Sequence, residues 1–316
     1  MIELIHSAIF AEFLSILLVF VALWIALLDK LEYSVITLGI FSLLCCIIYL
    51  LLDAPDVAMT EAALGACITS IIMLKVSSDL CSKRIVEKKN RLPALILSVS
   101  LGGLIIYAGM DLPVFGDINS PVHSHVMNYY NENTYTEIGI SSIVAAILAS
   151  YRGFDTFGET LVIFTGGICA LFILGSLPHI SKQESNQDAI QKMVARLAIP
   201  IIIIYGLYIQ FNGTESPGGG FQAGAILASV FIASNISIGY NFSYQTLVKG
   251  SSFGVLLYML PGLVALGAGF EFLNYNALGL GDISQKIGIE IIEIGICLTV
   301  SSIIIILYKS FFRDQR

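Results

Sequence analysis

Five glutamates lie inside long apolar stretches of this 316-residue sequence, where an ionisable side chain is costly. They are Glu12, Glu61, Glu159, Glu290 and Glu293. A charge at the centre of a membrane helix costs about 2.5–3.5 kcal/mol, so a residue of this kind usually has a function. A carboxyl group that alternates between a neutral and a charged form can relay protons. The sequence therefore predicts proton or cation movement, and it offers no set of residues for covalent catalysis.

Glu61 and Glu293 are the strongest of these candidates because neither has a simple structural explanation. Glu61 follows Asp56 by five residues, beyond the first turn in which an acidic residue caps a helix. Lys75 is fourteen residues further on, which is about 21 Å along a helix. Glu293 lies about two turns inside its apolar segment. Both carboxyl groups are therefore predicted to be stations of a proton or ion pathway.

The other three glutamates have alternative, structural explanations that the sequence leaves open. Glu12 lies near a helix end, and its carboxylate could extend to the membrane surface. Glu290 follows Lys286 by four residues, so these two side chains could pair on one helix face. Glu159 ends the run Thr156-Phe157-Gly158-Glu159, which matches a capping box at a helix start.

An arginine and a second acid stand just before Glu159. Arg152 and Asp155 are three residues apart, so they could pair on one face of a helix. Glu159 follows Asp155 by one helical turn and offers a further carboxylate. We therefore include Arg152, Asp155 and Glu159 in the predicted pathway.

The glycine-rich run Pro217-Gly218-Gly219-Gly220-Phe221-Gln222-Ala223-Gly224 links two apolar segments. Glycine permits backbone conformations that other residues avoid, so we expect a tight turn here. The spacing of Gly220 and Gly224 lets a second helix approach closely. Glycine loops that bind phosphate follow a β-strand, which membrane helices do not supply. We therefore predict a structural loop that comprises Pro217, Gly218, Gly219, Gly220 and Gly224.

The composition is that of a membrane protein. Hydrophobic residues make up 56% of the chain and charged residues only 12%, with a mean hydropathy of +0.86. A soluble domain carries about 25% charged residues. The net charge of −7 argues against a nucleic-acid partner, which requires a basic face. The six cysteines form no Cys-x-x-Cys pair, so we expect no metal centre, cofactor site or disulfide framework.

Nine apolar stretches are long enough to cross a bilayer, for which about 20 residues are needed. We therefore predict an all-α polytopic integral membrane protein with about nine transmembrane helices. The expected spans are Ala8–Leu28, Tyr33–Leu52, Val57–Val76, Leu92–Met110, Phe157–Leu177, Leu197–Phe211, Phe221–Ser237, Ser251–Phe270 and Ile287–Tyr308. A tenth stretch, Ile138–Tyr151, is too short to cross and is predicted to be a short interfacial helix.

The basic residues indicate an orientation in the membrane. With nine crossings and the amino terminus outside, all 16 lysines and arginines except Arg152 and Lys286 lie on the inner side. A crossing at Ile138–Tyr151 would place the basic segments 79–91 and 181–196 on opposite sides. We therefore expect a multi-pass protein of the cell (inner) membrane with a cytoplasmic carboxyl terminus. All five glutamates then lie in the outer halves of their helices.

Two polar linkers, Asp79–Arg91 and Pro178–Ala195, divide the chain into modules of three, two and four spans. The predicted modules cover residues 1–91, 92–180 and 190–316.

Three motifs in this order resemble parts of a known membrane assembly. The run Asp53-Ala54-Pro55-Asp56-Val57-Ala58-Met59-Thr60-Glu61-Ala62 resembles the third-helix signature of the D-type module of membrane-bound hydrogenases, which also occurs in the large A-type protein of Mrp-type Na⁺/H⁺ antiporters. The segment from Arg152 to Glu159 is similar to the adjoining E-type module. The run from Pro217 to Gly224, followed by Phe272-Leu273-Asn274-Tyr275 and Gly279-Leu280-Gly281, resembles the B-type module of the same antiporters. The resemblance extends from about residue 8 to residue 310.

This resemblance implies a fused D–E–B subunit of a Mrp/Mnh-type multisubunit cation/proton antiporter. Its partners would be large antiporter-like subunits, small membrane subunits, Na⁺, H⁺ and the lipid bilayer. By the motif match, Glu61, Arg152, Asp155 and Glu159 would contribute to the ion route, and Glu293 would match an acidic position in the last helix of B-type modules. Nothing in the chain resembles the lysine-bearing broken helices of the large subunits, so we expect it not to exchange ions alone.

Two other functions remain open from the sequence. The chain could be a membrane-arm subunit of a hydrogenase or of a complex I-like oxidoreductase, whose metal centres would lie on other chains. It could also be a passive scaffold whose glycine-lined surfaces hold active subunits together.

Overall fold

The computed structural model describes residues 2–81, 92–114, 117, 119–174 and 189–311, and the secondary structure of these residues is helical, without strands. Nine helices in these ranges are long and apolar enough to cross a membrane, which confirms the predicted fold class. The greater part of both predicted linkers lies outside the described residues.

Nine helices in the described ranges could cross the membrane, and two others lie between the fourth and the fifth of them. We label them α1 (Ile2–Leu27), α2 (Leu31–Leu51), α3 (residues 55–81), α4 (Leu92–Gly109), α7 (Gly153–Leu174), α8 (Ala189–Asn212), α9 (Gly220–Ile238), α10 (Tyr244–Gly267) and α11 (Ser284–Phe311). Two further helices precede α7: α5 (residues 122–137) and α6 (residues 143–151).

The short interfacial helix was predicted five residues too long. Residues 138–142 are not helical, Gly139 has φ +76°, and α6 begins after Ser142, whose hydroxyl caps the amide of Ala145. The nine residues of α6 extend about 14 Å, which is too short to cross a bilayer. The polar helix α5 has no apolar periodicity, which is why hydropathy did not indicate it.

Several long helices begin earlier than hydropathy predicted. The helix α7 begins at Gly153, α8 at Ala189 and α10 at Tyr244. Hydropathy detects the part of a helix at lipid depth, whereas backbone hydrogen bonding continues into polar turns beyond it. At α10 the start is fixed by Ser243, whose hydroxyl accepts a hydrogen bond from the amide of Thr246 at 3.1 Å.

The last helix, α11, forms the centre of the fold. It packs against α7, α9 and α10 and carries more buried residues than any other described helix, among them Ile289, Ile292 and Ile303. Glycines permit this close packing. A side chain on Gly254 of α10 would overlap Thr299 of α11. By contrast, α4 buries none of its residues against the part of the chain that is described.

Four connections meet at one end of the bundle. Ser142 donates its backbone N–H to the carbonyl oxygen of Thr214 at 3.1 Å. The hydroxyl of Tyr275 donates to the carbonyl oxygen of Ala149 at 2.5 Å, and the amide of Gly218 reaches Asp56. The segments before α3, α7, α9 and α11 therefore lie on the same side, as expected if α6 does not cross.

Candidate functional site

Glu293 is enclosed at the centre of the bundle. It lies in α11 with Ile289, Ile292 and Ile296 buried on the same helix, and its own residue is only 6% exposed. Its Oε2 atom has no hydrogen-bond partner among the described residues. Because α11 is covered by neighbouring helices, this side chain has no path along the surface by which its carboxylate could extend to the membrane interface.

The glycine loop passes directly over this carboxylate. Gly218 and Gly219 have φ values of +158° and +132°, in the region that favours glycine. A Cβ atom built on Gly219 would lie 3.5 Å from Oε1 of Glu293, and one built on Gly213 would lie 3.2 Å from Oε2. A side chain on Gly220 would overlap the backbone carbonyl of Glu293. Because these glycines have no side chain, the backbone of the α8–α9 connection can lie directly against the carboxylate of Glu293.

Asp56 reaches the same loop from the opposite side. Its Oδ1 accepts a hydrogen bond from the amide of Gly218 at 2.7 Å, and its backbone carbonyl accepts one from Nε2 of Gln222 at 3.4 Å. Asp56 was not among the predicted site residues, because an acid in the first turn of a helix is ordinarily explained as stabilising that turn. Asp56 could have been predicted as a site residue from its position directly after Pro55, in the same signature that contains Glu61.

A small cavity of about 40 Å³ adjoins Glu293. Its polar lining comes from Glu293, Thr156 and Gln222 together with the backbone of Gly218, Gly219 and Gly220; its apolar lining comes from Ala145, Leu148, Ala149, Phe221 and Ile296. This volume suffices for about one water molecule, and such a molecule needs two or more polar partners of the kind found here.

Glu61 occupies a different position on α3. It is half-buried and begins a π-helical segment, Glu61–Thr69, within the otherwise α-helical span. A Cβ atom built on Gly65 would lie 2.5 Å from Oε1 of Glu61 and 2.9 Å from Oγ of Ser42, so the carboxylate faces α2. π-Helical turns often occur at functional sites, because they alter the direction of side chains in a helix. The structure does not bring Glu61 into the cavity beside Glu293.

Arg152, Asp155 and Glu159 lie on the surface at the start of α7. The guanidinium of Arg152 contacts Oδ2 of Asp155 at 2.6 Å, with side-chain exposures of 63% and 56%. Glu159 is also exposed. The capping explanation for Glu159 is wrong, because α7 already begins at Gly153 and the hydroxyl of Thr156 donates to the carbonyl oxygen of Leu148 at 2.7 Å. Only Thr156 of this segment reaches the cavity.

The proposed pairing of Glu290 with Lys286 is replaced by another contact. The ammonium group of Lys286 lies 2.8 Å from Oε1 of Glu215 in the glycine-loop connection. This hydrogen bond lowers the pKa of Glu215 below its ordinary value. The pair fastens the start of α11 to the α8–α9 connection, next to the loop that covers Glu293.

A tyrosine cluster joins the two short helices at this end. Tyr151 donates to Oε2 of Glu137 at 2.5 Å, and Tyr129 donates to Oε1 of Glu137 at 2.9 Å. Partial burial is the main cause that raises the pKa of Tyr151 to about 12, and the hydrogen bond to Glu137 is the second. The phenol therefore stays protonated and continues to hold α5 against α6 at physiological pH.

Family models match three consecutive parts of the chain. The MbhD model, which describes the D component of MBH, matches residues 16–82, and the MbhE model, which describes its E component, matches residues 90–192. The model described as "Domain related to MnhB subunit of Na+/H+ antiporter" matches residues 190–306. The chain carries MbhD, MbhE and MnhB domains. Asp56 and Glu61 thus belong to the MbhD domain, Arg152 to the MbhE domain, and the glycine loop and Glu293 to the MnhB domain.

Relatives with curated names are similar to this chain over part of its length. A probable K⁺/H⁺ antiporter A/B subunit of Rhizobium meliloti (strain 1021) is 26% identical over 287 residues, covering 77% of this chain and 28% of that relative. The B-type Na⁺/H⁺ antiporter subunit of Alkalihalophilus pseudofirmus is 26% identical over 134 residues, covering 38% of this chain and 93% of that protein. The chain therefore spans little more than a quarter of the length of the A/B relative.

A solved structure shares the fold. A chain of the Mrp complex from Dietzia sp. DQ12-45-1b superposes with a TM-score of 0.75 at 21% sequence identity, covering 96% of this chain and 35% of that chain. The described helices are thus arranged in a fold that also occurs in a chain of that complex.

Proposed function

We propose that this chain is a membrane subunit of a multisubunit monovalent cation/proton antiporter, in which it contributes to the proton or ion pathway and to assembly. Its partners would be the large antiporter-like subunits and the small membrane subunits, with Na⁺ and H⁺ as transported ions. The three family domains and the relatives named as antiporter subunits support this proposal. In it the chain performs no covalent chemistry and requires no cofactor.

The observation that carries the pathway role is the enclosed carboxyl group of Glu293. A passive scaffold gains nothing from an acid with an unpartnered oxygen in its core, since burying such a group costs several kcal/mol when it is charged. A site that takes up and releases protons requires a group whose charge changes there.

The remaining candidates have separate roles in this proposal. Glu61, at the start of the π-helical segment, is the relay on the α2 side of α3. Arg152, Asp155 and Glu159 form an exposed charged group on α7, suited to continue the pathway into a neighbouring subunit. Pro217, Gly218, Gly219, Gly220 and Gly224 shape the connection over Glu293.

The proposed membrane arrangement places the glycine-loop end outside and the carboxyl terminus in the cytoplasm of a cell with an inner membrane. Residues 1–91, 92–180 and 190–316 act as the three modules. The charge bias of the sequence supports this orientation, because the basic residues Arg152 and Lys286 are the exceptions on the outer side.

The test is Glu61→Gln in the complete complex, purified with all its subunits and reconstituted in liposomes that contain a pH-sensitive dye. This substitution keeps the shape of the side chain and removes its proton. We expect normal assembly and a fall of about tenfold or more in the rate of Na⁺-driven pH change, as for loss of a proton-transfer group. Glu132→Gln is the matched control, because Glu132 is an exposed glutamate of the polar helix α5.

Two outcomes would favour the other functions. Unchanged antiport by normally assembled complexes of both Glu61→Gln and Glu293→Gln would leave the scaffold as the better explanation. Subunits with redox cofactors in the purified complex, together with electron-driven ion movement, would identify a hydrogenase-type or complex I-like membrane arm instead.

A further inference from the structure

Two carboxylates from different domains meet at the glycine loop. Glu293 of the MnhB domain is buried, whereas Asp56 of the MbhD domain is half-buried at the start of α3. Gly218 binds Asp56 through its amide, and the adjacent Gly219 lies against Oε1 of Glu293. The two acids therefore contact adjacent residues of the loop.

The surroundings of the two acids are unequal. Asp56 accepts a charge-stabilising hydrogen bond from a backbone amide. One carboxylate oxygen of Glu293 has no hydrogen-bond partner among the described residues, and Glu293 lines the cavity together with Thr156 and Gln222. The charged groups that act on Glu293 are Glu290 and, to a smaller extent, Asp56, and the phenol of Tyr275 lies within electrostatic range of it.

Like charges that contact adjacent residues of one loop disfavour each other's ionisation, and the effect is larger on Glu293 because it is buried. The arrangement of hydrogen bonds decides which acid keeps the charge. The amide of Gly218 favours the carboxylate form of Asp56, while the cavity gives a protonated Glu293 room to donate its O–H to a water molecule.

We propose that Asp56 and Glu293 form one coupled acidic site that holds a single exchangeable proton, with the charge on Asp56 controlling proton release from Glu293 into the cavity. Asp56 acts as a positioning residue and Glu293 as the proton carrier. When a second proton neutralises Asp56, Glu293 can give its own proton to water in the cavity and become the carboxylate. This inference rests on the proposed function, and it adds a residue and a coupling across two domains to it.

The test is a double-mutant cycle in the reconstituted complex with Asp56→Asn, Glu293→Gln and both together. Because the two acids share one proton, we expect Asp56→Asn to displace the pH profile of antiport in the parent complex. In the Glu293→Gln background the same change should cause no further displacement. The Na⁺ concentration for half-maximal rate should stay the same in Asp56→Asn, because the site carries a proton.

Asp53→Asn is the matched control. Asp53 is exposed, lies three residues before Asp56, and has φ +54°, a conformation that asparagine tolerates. The Asp53→Asn substitution removes the same charge from the same end of the bundle and should leave the pH profile of antiport unchanged. An equal displacement in this control would show a general surface-charge effect and overturn the coupled site.

Other results would also contradict the inference. Additive displacements would mean two independent acids, and a changed half-maximal Na⁺ concentration with an unchanged pH profile would mean a metal-cation site. If Glu293→Gln prevents assembly or abolishes antiport, infrared titration of Asp56→Asn against the parent complex decides, since an unaltered carboxylic-acid band contradicts coupling. A parent complex without any antiport would refute the proposed function, whereas antiport that depends on Glu61 but not on Asp56 would refute only this inference.

Discussion

The backbone amide of Gly218 donates a hydrogen bond to Oδ1 of Asp56 at 2.7 Å, although 162 residues separate the two in sequence. This contact ties the start of α3 to the connection between α8 and α9. It therefore holds the MbhD and MnhB domains together at the point where Glu293 is covered, so assembly of the domains and enclosure of the acid depend on the same loop.

Arg152→Gln should separate transport from folding. The Arg152–Asp155 pair is exposed on both sides, and an exposed ion pair contributes about 1 kcal/mol or less to stability. We expect the variant complex to assemble and to melt within about 2–4 °C of the parent, while the rate of antiport falls severalfold. Co-purification, thermal melting and the liposome assay measure the three quantities. Loss of assembly together with loss of transport would show that Arg152 is structural.

Neighbouring glycines on α7 should respond in opposite ways to alanine. A side chain on Gly167 would overlap Ile303 of α11, whereas one on Gly166 would meet nothing within 4 Å. We expect Gly167→Ala to destabilise the packing of α7 on α11 by about 1–3 kcal/mol. Gly166→Ala should be neutral or slightly stabilising, since alanine favours a helix by up to about 1 kcal/mol over glycine.

Thermal melting of the two purified complexes checks the glycine prediction. A lower melting temperature for Gly167→Ala alone is the expected result. Equal melting temperatures would mean that Ile303 can move away at no cost and that α7 is not closely packed there.

Lys309→Met should loosen the opposite end of the bundle. Lys309 is buried near the end of α11, donates to the carbonyl oxygen of Phe242, and lies 4.3 Å from the ring centre of Tyr244. Methionine retains most of the apolar stem but leaves this carbonyl without its donor, at a cost of about 1–3 kcal/mol. Faster hydrogen exchange in the α9–α10 connection is the expected result. Lys249→Met, at an exposed position of α10, is the control and should leave the exchange unchanged.

Reporter fusions should determine the sidedness of the connections. A reporter after Tyr129 and another after Gln187 should report opposite sides of the membrane, because α7 crosses between them and α6 does not. The first should report the outer side and the second the cytoplasm. Reports from the same side would mean that α6 crosses, which would reverse the predicted outer placement of Glu159, Glu290 and Glu293.

The helical architecture followed from the sequence because each element carries its own signal. Burial in lipid requires about 20 apolar residues per crossing, and this local requirement was sufficient to predict nine spans. It could not give the helix ends, because α7, α8 and α10 continue into polar turns where hydropathy is uninformative. It also missed α5, whose side chains are polar on all faces.

The sequence identified the candidate residues by their type, but it did not show which of them lie close together in the structure. Glu293 and Glu61 stood out because a carboxyl at lipid depth is costly, which is a property of a single position. Whether such a carboxyl is enclosed, paired or exposed depends on the helices around it. Glu293 proved to be buried and Glu159 exposed, although both lie in apolar stretches of the sequence.

By itself the sequence determined the membrane class, the nine spans and the set of acidic candidates, because hydrophobic burial and the cost of a charge act on each segment locally. Only the tertiary structure decided that Asp56 meets the glycine loop, that Lys286 pairs with Glu215, and that Glu293 lines a cavity with Thr156. These contacts join residues far apart in the chain, and they arise from the close approach of whole helices at glycines.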